Sequence, residues 1–163
     1  MSSEILSNPA VERVRRALDA AGVESEIVVL PGAAHTAKLA AEFLGCEVAQ
    51  IANSLVFRAT ESNGAILVMS SGARRVDTAK LATVAGEPIG KADAAFVREH
   101  TGFAIGGVAP AGHVGELRKF VERSLAAFDE VWAAAGHPST VFKLTYPQLV
   151  AITGGQEIEV ALA

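Results

Sequence analysis

The chain has little of what several common classes of protein require. Cys46 is its only cysteine, so no internal disulfide can form. No apolar run approaches the ~20 residues that a membrane-spanning helix needs. The N-terminal segment lacks a basic region followed by an apolar block, so we expect no signal peptide. These absences predict a cytoplasmic protein without a membrane partner.

The chain also lacks an excess of basic charge. It has 14 lysines and arginines against 18 aspartates and glutamates, a formal net charge of −4. A protein that holds a long nucleic acid unaided usually carries a basic stripe. Here the basic residues form small groups, such as Arg13, Arg15 and Arg16, which are more typical of solvated faces. We expect no DNA partner, whereas contact with one nucleic-acid end stays open.

Signatures of several catalytic mechanisms are missing as well. The sequence has no Walker-type loop, no dinucleotide-binding fingerprint and no Gly-x-Ser-x-Gly elbow. Its histidines, His35, His100, His113 and His137, lie far apart and lack the spacing of paired metal ligands. We therefore expect neither a metal nor an organic cofactor. Any catalysis would rely on positioning and on backbone electrostatics.

What the chain does have is apolar material for one core, with 50% hydrophobic residues in 163. We expect a single domain of mixed α/β (α+β) class over residues 1–163. The Asn-Gly pair at 63–64 predicts a hairpin between strands at 54–59 and 65–70.

Capping residues predict where the helices begin and end. Five residues precede helical patterns and can cap them: Asn8, Thr36, Asp77, Asp93 and Thr145. Glycines follow these patterns and can end the helices. Short apolar runs predict further strands at 26–30, 141–144 and 156–161. Composition predicts one long helix over 116–135, although several residues there would also suit strands.

The segment Gly102–His113, called the glycine segment below, has four glycines and a proline among small apolar residues. Glycine lets backbone approach a ligand closely, and proline stiffens a turn. Taken alone, this composition favours a buried strand that ends in a tight loop. The alternative is the rigid, backbone-lined rim of a small-molecule pocket.

Four segments occur together in order: His35–Ala41, Gln50–Phe57, Ser71–Asp77 and the glycine segment. Together they resemble the YbaK family, the free-standing relatives of the editing domain inserted in bacterial prolyl-tRNA synthetases. The resemblance covers residues 11–160. It implies a curved, barrel-like mixed sheet with helices packed outside.

The resemblance also implies an activity. Members of the family hydrolyse the ester of a mischarged aminoacyl-tRNA in trans, and the amino acid is alanine, cysteine, serine or threonine. A small pocket admits the wrong side chain and so acts as a second sieve. The implied partner is the acceptor end of an aminoacyl-tRNA, and an aminoacyl-tRNA synthetase is a further candidate.

The family's Gly-x-x-x-Pro loop corresponds to residues 106–110, which match it completely. The resemblance implies that Gly106, Gly107 and Pro110 hold the aminoacyl group and that backbone N–H groups stabilise an oxyanion. It implies substrate contacts from further residues: His35, Thr36, Ser71, Gly72, Arg74, Val108, Ala109 and His113. The residues alone leave simpler roles open, namely a helix cap for Thr36 and a solvated side chain for Arg74.

Asn53 departs from the family's pattern and is a candidate catalytic residue. The family usually has a lysine there, which is taken to hold the phosphate or the ester end of the substrate. Asparagine can hydrogen-bond such a group but cannot neutralise it. Three hypotheses follow: an active enzyme with a weaker anchor, an altered substrate, or a module that binds a tRNA end or small ligand without turnover. Arg74, Arg75 or Lys80 could supply the missing charge.

Overall fold

The computed structural model describes residues 2–32 and 36–162. Its helices are α1 (Ser2–Leu6), α2 (Pro9–Ala20), α3 (Ala37–Leu44), α4 (Thr78–Ala85), α5 (Ala94–Thr101) and α6 (Tyr146–Thr153). Its strands are β1 (Val28–Val29), β2 (Ile51–Ala59), β3 (Ala65–Ser71), β4 (Ile89–Lys91), β5 (Arg118–Glu122), β6 (Glu130–Ala134), β7 (Thr140–Thr145) and β8 (Gln156–Ile158). No helix within these ranges is long and apolar enough to span a bilayer.

The helix boundaries confirm the predicted caps. The side chains of Asn8, Thr36, Asp77, Asp93 and Thr145 each accept a hydrogen bond from a backbone N–H in the first turn of their helix. Helices α3 to α6 each end at a glycine in the left-handed conformation, which side chains disfavour. The predicted hairpin between β2 and β3 is also present.

The predicted long helix over 116–135 is wrong. The segment forms β5, a short 3₁₀ helix at 123–127 and then β6. Val121 and Val131 are fully buried where these strands join the sheet. Burial of β-branched residues between neighbouring strands therefore outweighs the helical composition of the segment. The strands predicted at 26–30 and 156–161 are present but shorter.

The eight strands form one mixed sheet in the order β1-β7-β6-β2-β3-β5-β8, and β4 also pairs with β2. This confirms the mixed α/β class. The sheet is not closed, because its end strands β1 and β8 are separated by the whole strand order and do not pair. The expected barrel-like sheet is therefore an open one.

Helices cover both faces of this sheet. On one face of β3, Leu67 and Met69 join a core that α2, α5 and α6 complete. On its other face, Ile66 and Val68 pack against α4. A smaller cluster lies between α3 and the beginning of β2. This third contact places the first turn of α3 beside the middle strands of the sheet.

Candidate functional site

One edge of β2 has a gap in its pairing. Strand β6 pairs with Ile51 and Ala52, at the beginning of β2, and β4 pairs with residues 57–59, at its end. Among the described strands, none pairs with residues 53–56 on this edge, while β3 covers the opposite edge throughout. The backbone of β2 is thus open on one side between two diverging strands.

A cavity of about 250 Å³, the main cavity, opens at this gap. Its walls come from β2, α3, the β6–β7 hairpin and the glycine segment. The lining residues are Leu30, Thr36, Ala37, Ala40, Ile51, Ala52, Asn53, Ser54, Leu55, Ile105, Gly106, Val108, Trp132, Ala134, Pro138, Thr140 and Val141. The structure thus brings four predicted site residues to one cavity: Thr36, Asn53, Gly106 and Val108. A side cavity of about 220 Å³ adjoins it and shares Ser54, Leu55, Ile105, Gly106 and Val108.

Among the described residues that line the main cavity, none carries a charge. Most of their polar side chains are already engaged. The Thr36 hydroxyl caps α3, the Thr140 hydroxyl donates to a backbone carbonyl, and the Ser54 hydroxyl donates to a methionine sulfur at 3.3 Å. The Asn53 amide has no hydrogen-bond partner among the described residues. It is the polar side chain of this wall that is free to meet a ligand.

The glycine segment forms the wall opposite β2. Gly106, with a φ of 89°, and Val108 line the main cavity. Gly107 instead packs against the β6–β7 hairpin, where a Cβ would lie 2.9 Å from the His137 Cα. Only a glycine allows this close approach of two backbones. Ala109 and Pro110 are buried behind the wall.

His113 braces this wall from within. Its Nε2 donates a hydrogen bond to the Ala109 carbonyl at 2.7 Å, which fixes the proton on Nε2. Its ring meets the Phe103 ring edge-on, with 5.9 Å between the centroids. Burial lowers the pKa of His113 to about 4, and repulsion from Lys119 and Arg13 adds to the shift, against the opposing effect of the Ala109 bond. The imidazole is therefore neutral near pH 7 and serves as a brace.

Arg13 of α2 holds both ends of the same segment. Its Nη2 donates to the Gly102 carbonyl at 2.7 Å, and its Nε donates to the Gly112 carbonyl at 3.2 Å. Its Cζ lies 4.9 Å from the centroid of the Phe103 ring. A planar guanidinium can span two carbonyls in this way, whereas a lysine ammonium is a point charge. The sequence pattern predicted a solvated Arg13. It does not reveal these two hydrogen bonds, because the carbonyls that accept them lie 89 and 99 residues away along the chain.

Three other predicted residues do not line either cavity. Ser71 Oγ donates to the Ala49 carbonyl at 2.8 Å. Gly72 lies where a Cβ would be 2.7 Å from the Val48 oxygen. Both residues support the beginning of β2 from behind the main cavity. Arg74 is exposed and lines neither cavity.

The cations that could replace the family lysine also lie elsewhere. Neither Arg75 nor Lys80 is among the described residues that line the two cavities. The Lys80 ammonium donates to the Ala161 carbonyl at 3.1 Å, at the other end of the chain. His35 lies outside the described residues.

Sequence reasoning missed several lining residues. Ile105 lines both cavities although 57% of its surface is exposed. Trp132 is half-buried and lines the main cavity. A bulky apolar side chain within a glycine-rich segment is a weak signal of such a position, and we find no local signal for Trp132.

The family to which the chain belongs follows from a direct match. The family model of the aminoacyl-tRNA editing domain matches residues 31–152, which supply nearly all of the cavity walls. The chain belongs to this family.

The chain is also similar to individual proteins. A solved structure described as a candidate trans-editing enzyme for prolyl-tRNA synthetase is 41% identical, with a TM-score of 0.89 over 96% of this editing domain and 99% of that chain. A chain from work on epitope backbone grafting onto scaffold proteins is 38% identical, with the same TM-score and coverage. The protein YwhH of Bacillus subtilis (strain 168) is 30% identical over 126 residues, 77% of this chain and 80% of that protein.

Proposed function

We propose that this editing domain hydrolyses, in trans, the ester of a tRNA mischarged with a small amino acid such as alanine, serine, threonine or cysteine. The observation that carries the proposal is the main cavity, about 250 Å³, between the gap in β2 and the glycine segment. Small side chains, including Ala37, Ala40 and Ala134, line much of it. A cavity of this size selects by exclusion, as a second sieve does.

The reaction makes modest demands on the protein. A water oxygen attacks the ester carbonyl carbon, the bond to the 3′ oxygen of the terminal ribose breaks, and that oxygen takes a proton. The products are the free amino acid and a tRNA with a free 3′ hydroxyl. Since the ester is already activated, positioned backbone donors can supply much of the catalysis, each worth roughly 10²–10³ in rate. The 2′ hydroxyl of the substrate helps to place the water.

The proposed roles follow the two walls. Gly106 and Val108 shape the wall against which the aminoacyl group lies, and Gly107 and His113 hold that wall in place. The Asn53 amide hydrogen-bonds the ester end or the neighbouring phosphate, without neutralising it. The proposed partner is the acceptor end of an aminoacyl-tRNA in the cytoplasm, and docking on a synthetase is part of the same proposal.

A second candidate function is binding of a charged tRNA end without turnover. Asn53 in place of the family lysine favours it, as does the lack of a charged side chain among the described lining residues. A neutral site can bind an aminoacyl group, yet it has no cation to stabilise the negative charge that develops on the leaving 3′ oxygen. The two functions differ in whether the ester is lost after binding.

The experiment incubates the protein with alanyl-, seryl-, threonyl- and cysteinyl-tRNA and follows loss of the ester. We expect faster hydrolysis of at least one of them at micromolar protein. Ala134→Leu, which fills the main cavity, should lower this rate at least ~30-fold, because filling the cavity excludes the substrate. Ala94→Leu adds the same groups to an exposed position on α5 and is the matched control.

The outcomes separate the two functions. Binding of a charged tRNA without faster hydrolysis of any ester would favour the second function. Neither binding nor hydrolysis would contradict both.

A further inference from the structure

The register of β2 decides which of its backbone groups face the gap. The Ala59 N–H donates to the Gly64 carbonyl at 2.9 Å. At the other end of the strand, the Gly72 N–H donates to the Ile51 carbonyl at 2.7 Å. Odd-numbered residues of β2 therefore exchange hydrogen bonds with β3. Because bonded and non-bonded pairs alternate in an antiparallel ladder, the backbone groups of even-numbered residues point toward the gap.

Ser54 and Val56 are the even-numbered residues within the unpaired stretch 53–56, and Ser54 is the one of the two that lines both cavities. Pairing with β6 stops at Ala52, and pairing with β4 begins at Phe57. The Ser54 backbone N–H and C=O make no hydrogen bond with another described residue. Its side chain is turned into the core, where Oγ lies 3.3 Å from the Met69 sulfur. Ser54 thus offers the cavities an unpaired peptide edge, which water or a ligand can satisfy.

We propose that this peptide edge of Ser54 holds the aminoacyl group as if it were one residue of an added strand; the inference rests on the proposed function. An aminoacyl ester has a donor, its α-ammonium, and an acceptor, its carbonyl oxygen, on either side of one carbon. These are the groups that one residue presents in a hydrogen-bonded antiparallel pair. The α-ammonium donates to the Ser54 carbonyl, and the ester carbonyl accepts from the Ser54 N–H.

The surroundings of Ser54 fit this pairing. Among the described residues, no carboxylate lines either cavity, so neutral oxygens must accept from the α-ammonium. Gly106 lines the same two cavities as Ser54 and has no side chain to fill them. The geometry makes Ser54 a binding residue that acts through its main chain.

The pairing also has a catalytic consequence. The carbonyl oxygen that accepts from the Ser54 N–H becomes negatively charged when water attacks the carbon. A donor fixed at that oxygen stabilises the charge as it develops. The N–H of Ser54 would thus contribute more to kcat than to KM, because its bond strengthens in the transition state.

A titration followed by NMR tests whether the peptide edge of Ser54 binds the aminoacyl group. The probe is 3′-alanylamino-3′-deoxyadenosine, in which an amide replaces the labile ester. We expect a saturable downfield shift of the Ser54 amide proton, among the largest in the protein, and little change at Ala52, which already pairs with β6. The 3′-propionylamino analogue lacks the α-ammonium and should bind ~10-fold more weakly.

Two results would overturn the proposed binding of the aminoacyl group by Ser54. One is saturable shifts at 106–108 without a shift at Ser54, and the other is no saturable shift up to millimolar probe. Equal affinity for the two analogues would contradict the proposed hydrogen bond from the α-ammonium to the Ser54 carbonyl. Since the titration needs binding only, it decides the matter even if the protein deacylates no tRNA and the proposed function fails.

A backbone substitution tests whether the Ser54 N–H stabilises the charge that develops on the carbonyl oxygen. Ser54→Ala with a normal peptide bond is compared with the same variant in which an α-hydroxy acid replaces the residue-54 N–H by an ester oxygen. We expect kcat to fall ~10²-fold between the two, with KM changed only a few-fold. Thermal unfolding checks that both proteins are folded. A folded ester variant that keeps kcat within twofold would overturn this role.

Discussion

The two walls of the main cavity are built in opposite ways. Three carbonyls of the glycine segment accept hydrogen bonds from within the protein, from Arg13 at its ends and from His113 inside it. Strand β2 leaves the Asn53 amide and the Ser54 peptide groups without partners among the described residues. The comparison teaches that the glycine segment sets the shape of the cavity, whereas the strand presents polar groups that stay unpaired.

The pH dependence of stability tests the buried imidazole of the glycine segment. The pKa of His113 is lowered to about 4 in the folded protein, whereas an exposed histidine has about 6.5. Between these values the unfolded chain binds more protons, so stability is full above pH 6.5 and is lost as the pH falls toward 4. The loss from this one group is roughly 3 kcal/mol.

Chemical denaturation of His113→Gln between pH 7 and pH 4 measures this term. Glutamine can keep the bond to the Ala109 carbonyl but does not titrate, so the variant should lose roughly 3 kcal/mol less than wild type on acidification. Val114→Gln places the same side chain at an exposed neighbouring position and serves as the control. Parallel pH profiles of wild type and His113→Gln would contradict a desolvated neutral imidazole.

Gly107→Ala should force the glycine segment and the β6–β7 hairpin apart. The new Cβ would lie 2.9 Å from the Cα of His137 and from the nitrogen of Pro138, so backbone must shift. We expect a loss of about 2.5 kcal/mol in the free energy of unfolding, measured by urea denaturation. Gly32→Ala, where a Cβ meets nothing within 4 Å, is the control. Unchanged stability of Gly107→Ala would show that the two backbones are not in close contact.

Arg13→Met removes the contact that joins the two ends of the glycine segment. Two carbonyls lose a charged donor, and the Phe103 ring loses its cation, so stability should fall by about 2 kcal/mol. Arg13→Lys should recover only part of this, because an ammonium does not span both carbonyls. Thermal and urea unfolding measure both variants. Arg16→Met on the exposed side of α2 is the control, and an equal loss there would contradict a specific role of Arg13.

Asn53→Lys changes the opposite wall, with the smallest expected effect. A cation at this position would neutralise the substrate phosphate or the ester end, so kcat/KM for deacylation should rise ~10-fold at low salt. The rate should also fall more steeply with added salt than that of wild type. Ala73→Lys adds the same charge at an exposed position and controls for general attraction of tRNA. An equal gain in both variants would argue against a special role for position 53.

Local sequence signals predicted much of the fold. The caps Asn8, Thr36, Asp77, Asp93 and Thr145 marked where helices begin, because each capping bond joins groups two or three residues apart. The helix predicted over 116–135 was wrong for the opposite reason. Its strands are stabilised by pairing with distant strands, and that contribution is invisible in a helical composition.

The sequence by itself determined where helices α2 to α6 begin, the β2–β3 hairpin and the four segments by which the chain resembles an editing domain. Only the tertiary structure decided that β6 and β4 diverge along β2, that the peptide edge of Ser54 is left open, and that Arg13 holds the glycine segment. The physical reason is range. A cap or turn depends on hydrogen bonds within a few residues, whereas the cavity depends on contacts between segments that lie far apart in sequence.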